Sequence, residues 1–174
     1  ADPARDRGPR MKLRTMTRAD VPAFATVFRE IVDAGETYAY PEDLPDNAIA
    51  DLWMEGAPGR AVVAIDDDGS FPGAAKMGPN RPGRGAHIGT ASFMVSSAAR
   101  GKGVGRALAR DMIDWHRRQG YAGIQFNAVV ETNMAAVRLW QDLGFRILGT
   151  VPGAFRSATH GPVGLHVMFL DLSS

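Results

Sequence analysis

Arg100-Gly101-Lys102-Gly103-Val104-Gly105-Arg106 joins an apolar segment, Ala91-Ser92-Phe93-Met94-Val95, to helix formers that begin at Ala107-Leu108-Ala109. Three glycines and three cations in seven residues, placed between a strand pattern and a helix pattern, have the make-up of a phosphate cradle. Glycine lets successive backbone N–H groups turn toward one point, and the helix that follows adds roughly half a positive charge at its N-terminus. A diphosphate suits such a bend. The plainer reading of the same residues is a basic, Gly-rich connection that binds nothing.

Working outward, 174 residues read as one domain with room for a core built without disulfides. The 20 Lys and Arg are balanced by 19 Asp and Glu, which argues against a nucleic-acid partner held by a broad basic face. The chain has no cysteine, which removes a thiol nucleophile and a Cys-based zinc site and fits a cytoplasmic location. His87, His116, His160 and His166 show no ligand spacing, so no metal is expected. No apolar run reaches the roughly 18 residues of a membrane span. Residues 1–10 are polar and contain Pro; they read as a disordered leader, native or left from cloning.

The rest alternates strand and helix patterns without a repeat or a linker. Lys12 to Met16 reads as a strand, and Thr17-Arg18-Ala19-Asp20 as a capping box opening a helix that reaches Ala34. Its apolar stripe is Val21, Phe24, Val27, Phe28 and Ile31, and Gly35 provides the stop. Glu36 to Asp43, rich in aromatics and carboxylates, reads as a functional loop before a short helix from Asp46 to about Met54. Ala61–Ile65, Ala74–Met77 and about His87–Val95 read as strands, the first two joined by an Asp-Asp-Asp-Gly turn. A helix with Val104, Leu108, Met112 and Trp115 on one stripe stops at Gly120, and Gly123–Val130 is a strand. Asn133 caps a last helix ending at Gly144. Strands Phe145–Val151 and about Leu165–Leu170 follow, with Pro152 to Arg156 expected as their loop.

Arg100, Gly103 and Gly105 satisfy the pattern Arg or Gln, two residues, Gly, one residue, Gly or Ala. About thirty residues on come Glu131-Thr132-Asn133 and Ala136-Val137-Arg138-Leu139-Trp140-Gln141-Asp142-Leu143-Gly144-Phe145. In this order they resemble the GNAT superfamily of acetyl-CoA-dependent N-acetyltransferases, over nearly all of Met11 to Leu172. Gln125-Phe126-Asn127 and Val151 to Arg156 are similar to a subfamily with fungal azetidine-carboxylate and proline-analogue acetyltransferases. Thr90, where relatives often have Asn, and Gly161-Pro162-Val163-Gly164, where they commonly carry Tyr and Asp, depart from it.

The resemblance implies a single-domain α/β (α+β) fold: a mixed sheet of six or seven strands, about four flanking helices, and a splay between the two central strands. It also implies acetyl-CoA as cosubstrate. Its pantetheine arm would meet the backbone near Phe93, Met94 and Val95, and its diphosphate would lie on Arg100 to Arg106. Asn127, Asn133 and Trp140 complete the expected cofactor side, and many relatives pair through C-terminal strands, which implies a homodimer. Where many members carry a Tyr thought to protonate the leaving thiolate, this chain has Trp140, whose indole cannot do so; simple helix-face packing is the other reading.

An alkylamine must shed a proton before it attacks, at a cost of about 4 to 5 kcal/mol at neutral pH without help. Glu131, Glu36 and Glu42 are the candidate bases, each with solvated surface carboxylate as its alternative. Asn127, on a strand of buried character, is expected to face the splay as a polar contact for cofactor, substrate or water. Tyr38, Tyr40, Asn80, Phe155 and Arg156 are the candidate acceptor residues, with Arg156 suited to fork a substrate carboxylate. These suggest a small amino-acid or imino-acid acceptor. Acetylation of protein or peptide N-termini, and a catalytically weak CoA sensor, remain as alternatives.

Overall fold

The computed structural model describes residues 11–174; the expected leader lies outside them. The order is β1 (Lys12–Thr15), α1 (Val21–Ala34), α2 (Asp46–Trp53), β2 (Arg60–Ile65), β3 (Gly73–Pro79), β4 (Ile88–Val95), α3 (Val104–Gln119), β5 (Gly123–Val130), α4 (Met134–Asp142), β6 (Arg146–Ser157) and β7 (Gly161–Asp171). Seven strands form one sheet in the order β1-β2-β3-β4-β5-β7-β6. The mixed sheet and four helices agree with the expected fold class.

Strand alternation divides the core into two layers. Val62, Ala64, Ala75 and Met77 face α3 and α4 with Leu108, Met112 and Trp140, whereas Ala61, Val63, Ala74 and Met94 face α1 and α2 with Phe24, Phe28 and Trp53. The Thr17–Asp20 box is present, Asp20 Oδ2 accepting from Thr17 N–H at 2.7 Å, but it closes a 3-10 turn that leads into α1 at Val21. Gly35, at φ 70°, ends α1.

One expectation fails. Pro152 to Arg156 is not a loop, because β6 continues to Ser157 and β7 begins at Gly161. The register shifts between Val151 and Phe155, so a bulge absorbs Pro152, which lacks an N–H, and Gly153 at φ 65° before pairing resumes at Phe155↔Val163. Leu148 and Val151 on this edge strand are 54% and 55% exposed.

Among the described strands only β4 and β5 run parallel, and they pair at two positions, Ile88↔Gly123 and Gly89↔Ile124. Beyond Gly89 the two strands part, and that parting is the splay. At its foot His116 of α3 is fully buried against Gly89, its ring between Trp115 and Tyr121. His116 Nδ1 lies 2.8 Å from the Met112 carbonyl, which can only accept, so the ring proton sits there and Nε2 is left without a partner.

Burial holds the His116 imidazole down to about 4, with Arg60 pushing the same way and the Met112 bond opposing. The unfolded chain therefore takes the proton first, near its ordinary value of about 6.5. This contribution to stability is complete above that value and fades as pH falls toward 4. Urea titrations should lose on the order of 2 kcal/mol over that window, and His116→Leu should flatten that part of the profile. An unchanged slope in the variant would clear His116 of the effect.

Candidate active site

The cradle forms where α3 begins. Gly101 and Gly103 have φ of 77° and 78°, a region that favours glycine, and a Cβ built on either would meet nothing within 4 Å. Gly103 is the N-cap of the 16-residue helix α3. The first helical bond is Ala107 N–H to Gly103 O at 3.0 Å, which leaves the N–H groups of Val104, Gly105 and Arg106 without acceptors in the helix. Arg100 and Lys102 are exposed at the rim, and Arg106 pairs with Asp142 at 3.0 Å. The space over the glycines, the free donors and the rim cations together fit a diphosphate.

Cradle and splay are continuous. A Cβ on Gly105 would lie 3.9 Å from Val95 Cγ2 and 3.8 Å from Leu139 Cδ2, so the helix start, the end of β4 and α4 converge there. Backbone groups alternate sides along a strand. Gly89 bonds β5, so Ala91, Phe93 and Val95 direct theirs into the splay, while Met94 directs its own to β3, opposite Ala74. Met94 is also buried under α1 and α2, which takes it away from the arm's expected path and leaves Phe93 and Val95.

Trp140 packs at 4.9 Å from Phe93, 4.5 Å from Phe126 and 5.5 Å from Phe145, with 6% of its surface exposed. These are the surroundings of a packed helix-face aromatic. Asn133 Oδ1 accepts the Ala136 N–H at 3.4 Å as the cap of α4, so its carbonyl is already used in holding that helix start.

The acceptor side is assembled from distant parts of the chain. Asn127 Nδ2 donates to Asn80 Oδ1 at 2.7 Å, and Asn127 Oδ1 accepts from Gln125 Nε2 at 2.9 Å. Asn127 sits where the β5–β7 register shifts, between Phe126 and Val129, and is exposed. Glu131 follows β5; its Oε1 accepts Gly164 N–H at 2.6 Å. Glu42 is exposed on the loop before α2, and no contact brings it to the other candidates.

Glu36 is spent on structure. Its carboxylate accepts from Ser157 Oγ at 2.7 Å and from Thr159 N–H and Thr159 Oγ1 at 3.0 Å. The Ser157 hydroxyl, then Thr159, hold it below the usual carboxylate range, which makes it a poorer base. Ser157 and Thr159 carried no sequence signal. The loop they anchor continues to Tyr38, whose hydroxyl bonds Phe93, and to Tyr40, stacked on Tyr38 at 5.7 Å and against Phe28 at 5.3 Å. Phe155, expected on the acceptor side, is buried with Val130 and Val163, and Arg156, its neighbour on β6, is exposed.

A profile of the acetyltransferase (GNAT) family matches residues 25–145. An N-acetyltransferase of Schizosaccharomyces pombe is 39% identical over 143 residues, 74% of this chain and 68% of that protein. An L-methionine sulfoximine/L-methionine sulfone acetyltransferase of Pseudomonas paraeruginosa is 32% identical over 140 residues, 77% of this chain and 79% of that one. Among solved structures, a GCN5-related N-acetyltransferase from Kribbella flavida superposes with a TM-score of 0.90 at 58% identity, covering 93% of this chain and 98% of that chain. A Sinorhizobium meliloti phosphinothricin acetyltransferase, solved in complex with AcCoA, shares the fold at TM-score 0.84 and 21% identity over 92% of this chain and 88% of that one. With a glycine cradle opening into a parted pair of strands and these likenesses along most of its length, the chain belongs to the GNAT family of acetyltransferases.

Proposed function

We propose that the protein transfers the acetyl group of acetyl-CoA to the amine of a small amino-acid-like or imino-acid-like acceptor, by direct attack in a ternary complex. The observation that carries this reading is the junction at Gly105 and Val95, where donors without acceptors meet the open edge of β4. A phosphate-bearing ligand gripped by the cradle can extend into the adjoining splay. Its arm can there pair with backbone groups of Val95 and Phe93 in the manner of an added strand. A Phe93 N–H facing the thioester oxygen would stabilise the oxyanion formed as the amine adds.

The amine nitrogen attacks the thioester carbon, the tetrahedral adduct collapses, and the C–S bond breaks to release CoA thiolate. A thiol has an ordinary pKa of about 8.5, so its departure needs little help, and Trp140 does not have to act as an acid. The amine proton is the harder problem. Glu131 is the best-placed of the three carboxylates: it is half-buried at the exit of β5 and oriented by Gly164, whereas Glu36 is held by three donors and Glu42 stands in solvent.

Two observations favour a small acceptor over a protein terminus. The loop from Glu36 to Tyr40 is fastened to the β6–β7 turn and to β4, which suits a covered acceptor site better than an open peptide groove. The Pseudomonas relative, named for two amino-acid derivatives, matches over 77% of this chain. Exposed Arg156 is suited to receive the acceptor's carboxylate.

Turnover with acetyl-CoA should be measured across methionine sulfoximine, proline analogues, polyamines and short peptides. Amino-acid-like acceptors should be consumed and peptides spared; the reverse order would refute the acceptor class. Glu131→Gln should lower kcat/KM at neutral pH by about 10²-fold or more and displace the acid limb of the pH profile. A wild-type profile in that variant would remove Glu131 as the base.

A further inference from the structure

Phe93 is the residue whose exposed backbone groups an incoming thioester arm would use, and in this structure both are already satisfied by one side-chain atom. The Tyr38 hydroxyl accepts the Phe93 N–H at 2.9 Å and donates to the Phe93 carbonyl at 2.5 Å. A phenol can do both at once, so this hydroxyl imitates the peptide group of a missing strand neighbour. It occupies the part of the splay that the acetyl end of a bound arm requires.

The Tyr38 loop is fastened on either side of that contact. Upstream, Gly35 O accepts Ala158 N–H at 3.0 Å and the Glu36 carboxylate is held by Ser157 and Thr159. Downstream, Tyr40 lies between Tyr38 and Phe28. Between them the Thr37 hydroxyl is buried with no partner, an unfavourable feature of the closed loop that opening would relieve. Phe93 N–H and C=O left bare in the gap would be costly, and a true strand partner would fill the gap permanently. A hydroxyl on a loop satisfies them and can leave.

We propose that Tyr38 is a gate: it closes the thioester end of the splay in the free enzyme and is displaced when acetyl-CoA takes over its two hydrogen bonds to Phe93. The proposal rests on the acetyl-CoA reading above. Cosubstrate affinity then contains the free energy of releasing Tyr38, because only the open fraction can accept the whole arm. A ligand with the diphosphate but no arm does not meet the gate.

The test is calorimetric titration of the full chain with acetyl-CoA and, separately, with 3′-phospho-ADP, which reaches the cradle and stops short of Phe93. Tyr38→Phe keeps the ring and removes the hydroxyl, which weakens the closed state. It should tighten acetyl-CoA binding by about tenfold, the worth of two neutral hydrogen bonds, and leave 3′-phospho-ADP unchanged. Tyr38→Ala should shift acetyl-CoA in the same direction, with circular dichroism and melting curves confirming that both variants are folded. If 3′-phospho-ADP binds all three proteins alike and acetyl-CoA binds the folded variants no tighter than the parent, the gate is refuted while the cradle stands. If neither ligand binds the parent, the acetyl-CoA reading falls and the gate falls with it.

Discussion

Gly103→Asp is expected to weaken acetyl-CoA binding by about 10²-fold or more. Position 103 is at φ 78° with open space where a side chain would project, so the new carboxylate would stand in the cradle without pushing on protein. Asp tolerates the left-handed region better than most residues, which keeps the folding penalty near 1 kcal/mol. Its charge, about 5 Å from a phosphate oxygen at an effective dielectric of about 20, costs roughly 3 kcal/mol per phosphate charge faced. Gly103→Ala is the control, since it carries the backbone strain without the charge and should weaken binding far less. Raising the salt to about 0.5 M should recover part of the loss in the Asp variant, because the site is open to solvent. Calorimetric titration of the three proteins decides the matter, and an Asp variant that binds like its parent would mean the diphosphate lies elsewhere.

The second large effect is on stability. A Cβ on Gly89 would overlap the Nε2 and Cδ2 atoms of His116 and press on Tyr121 at 3.4 Å. The imidazole has nowhere to retreat, being fully buried, held by the Met112 carbonyl and enclosed by two aromatic rings. Gly89→Val should therefore cost about 3 kcal/mol or more, which for a domain of this size lowers the melting midpoint by roughly 6 to 12 °C. Deleting the ring in the same chain should return part of that loss. Gly89→Val with His116→Ala is expected to be more stable than the sum of the two single changes by at least about 1 kcal/mol. Strict additivity, or a Val variant as stable as the parent, would show that the contact is not what excludes a side chain. Because α3 is seated on β4 through this contact, such variants should also weaken the cradle at the other end of the helix.

What could be read from the chain was local. The glycines ahead of α3, Gly35 and Gly120 as stops and Asn133 as a cap each declare themselves within a turn or two of sequence and stand where expected, while the Thr17–Asp20 box forms one turn early, on the 3-10 turn before α1. Pro152-Gly153 misled because the same two residues suit a turn and a bulge; only pairing with β7, invisible in the chain, distinguishes them. The candidate site was legible on its cofactor side and poorly legible on its acceptor side for the same reason. Glu36 finds Ser157 and Thr159 across 121 and 123 positions, and Tyr38 finds Phe93 across 55. No periodicity encodes such contacts. Phe155 reads as an acceptor residue only while its strand reads as a loop, and Met94 falls on the wrong side because alternation along β4 has no phase until its neighbours are known.

The brevity of the β4–β5 ladder has a mechanical consequence. The sheet is two antiparallel blocks, the meander β1-β2-β3-β4 and the trio β5-β7-β6 with β7 in its middle, joined by two residue pairs at one end and otherwise bridged by helices and side chains. Bending about that junction would change the width of the cleft with the antiparallel ladders intact, resisted mainly by the core that Met77 shares with Ile124 and Met168. Amide exchange in β5 beyond Ile124 should accordingly respond to ligand far more than exchange in β2 or β3.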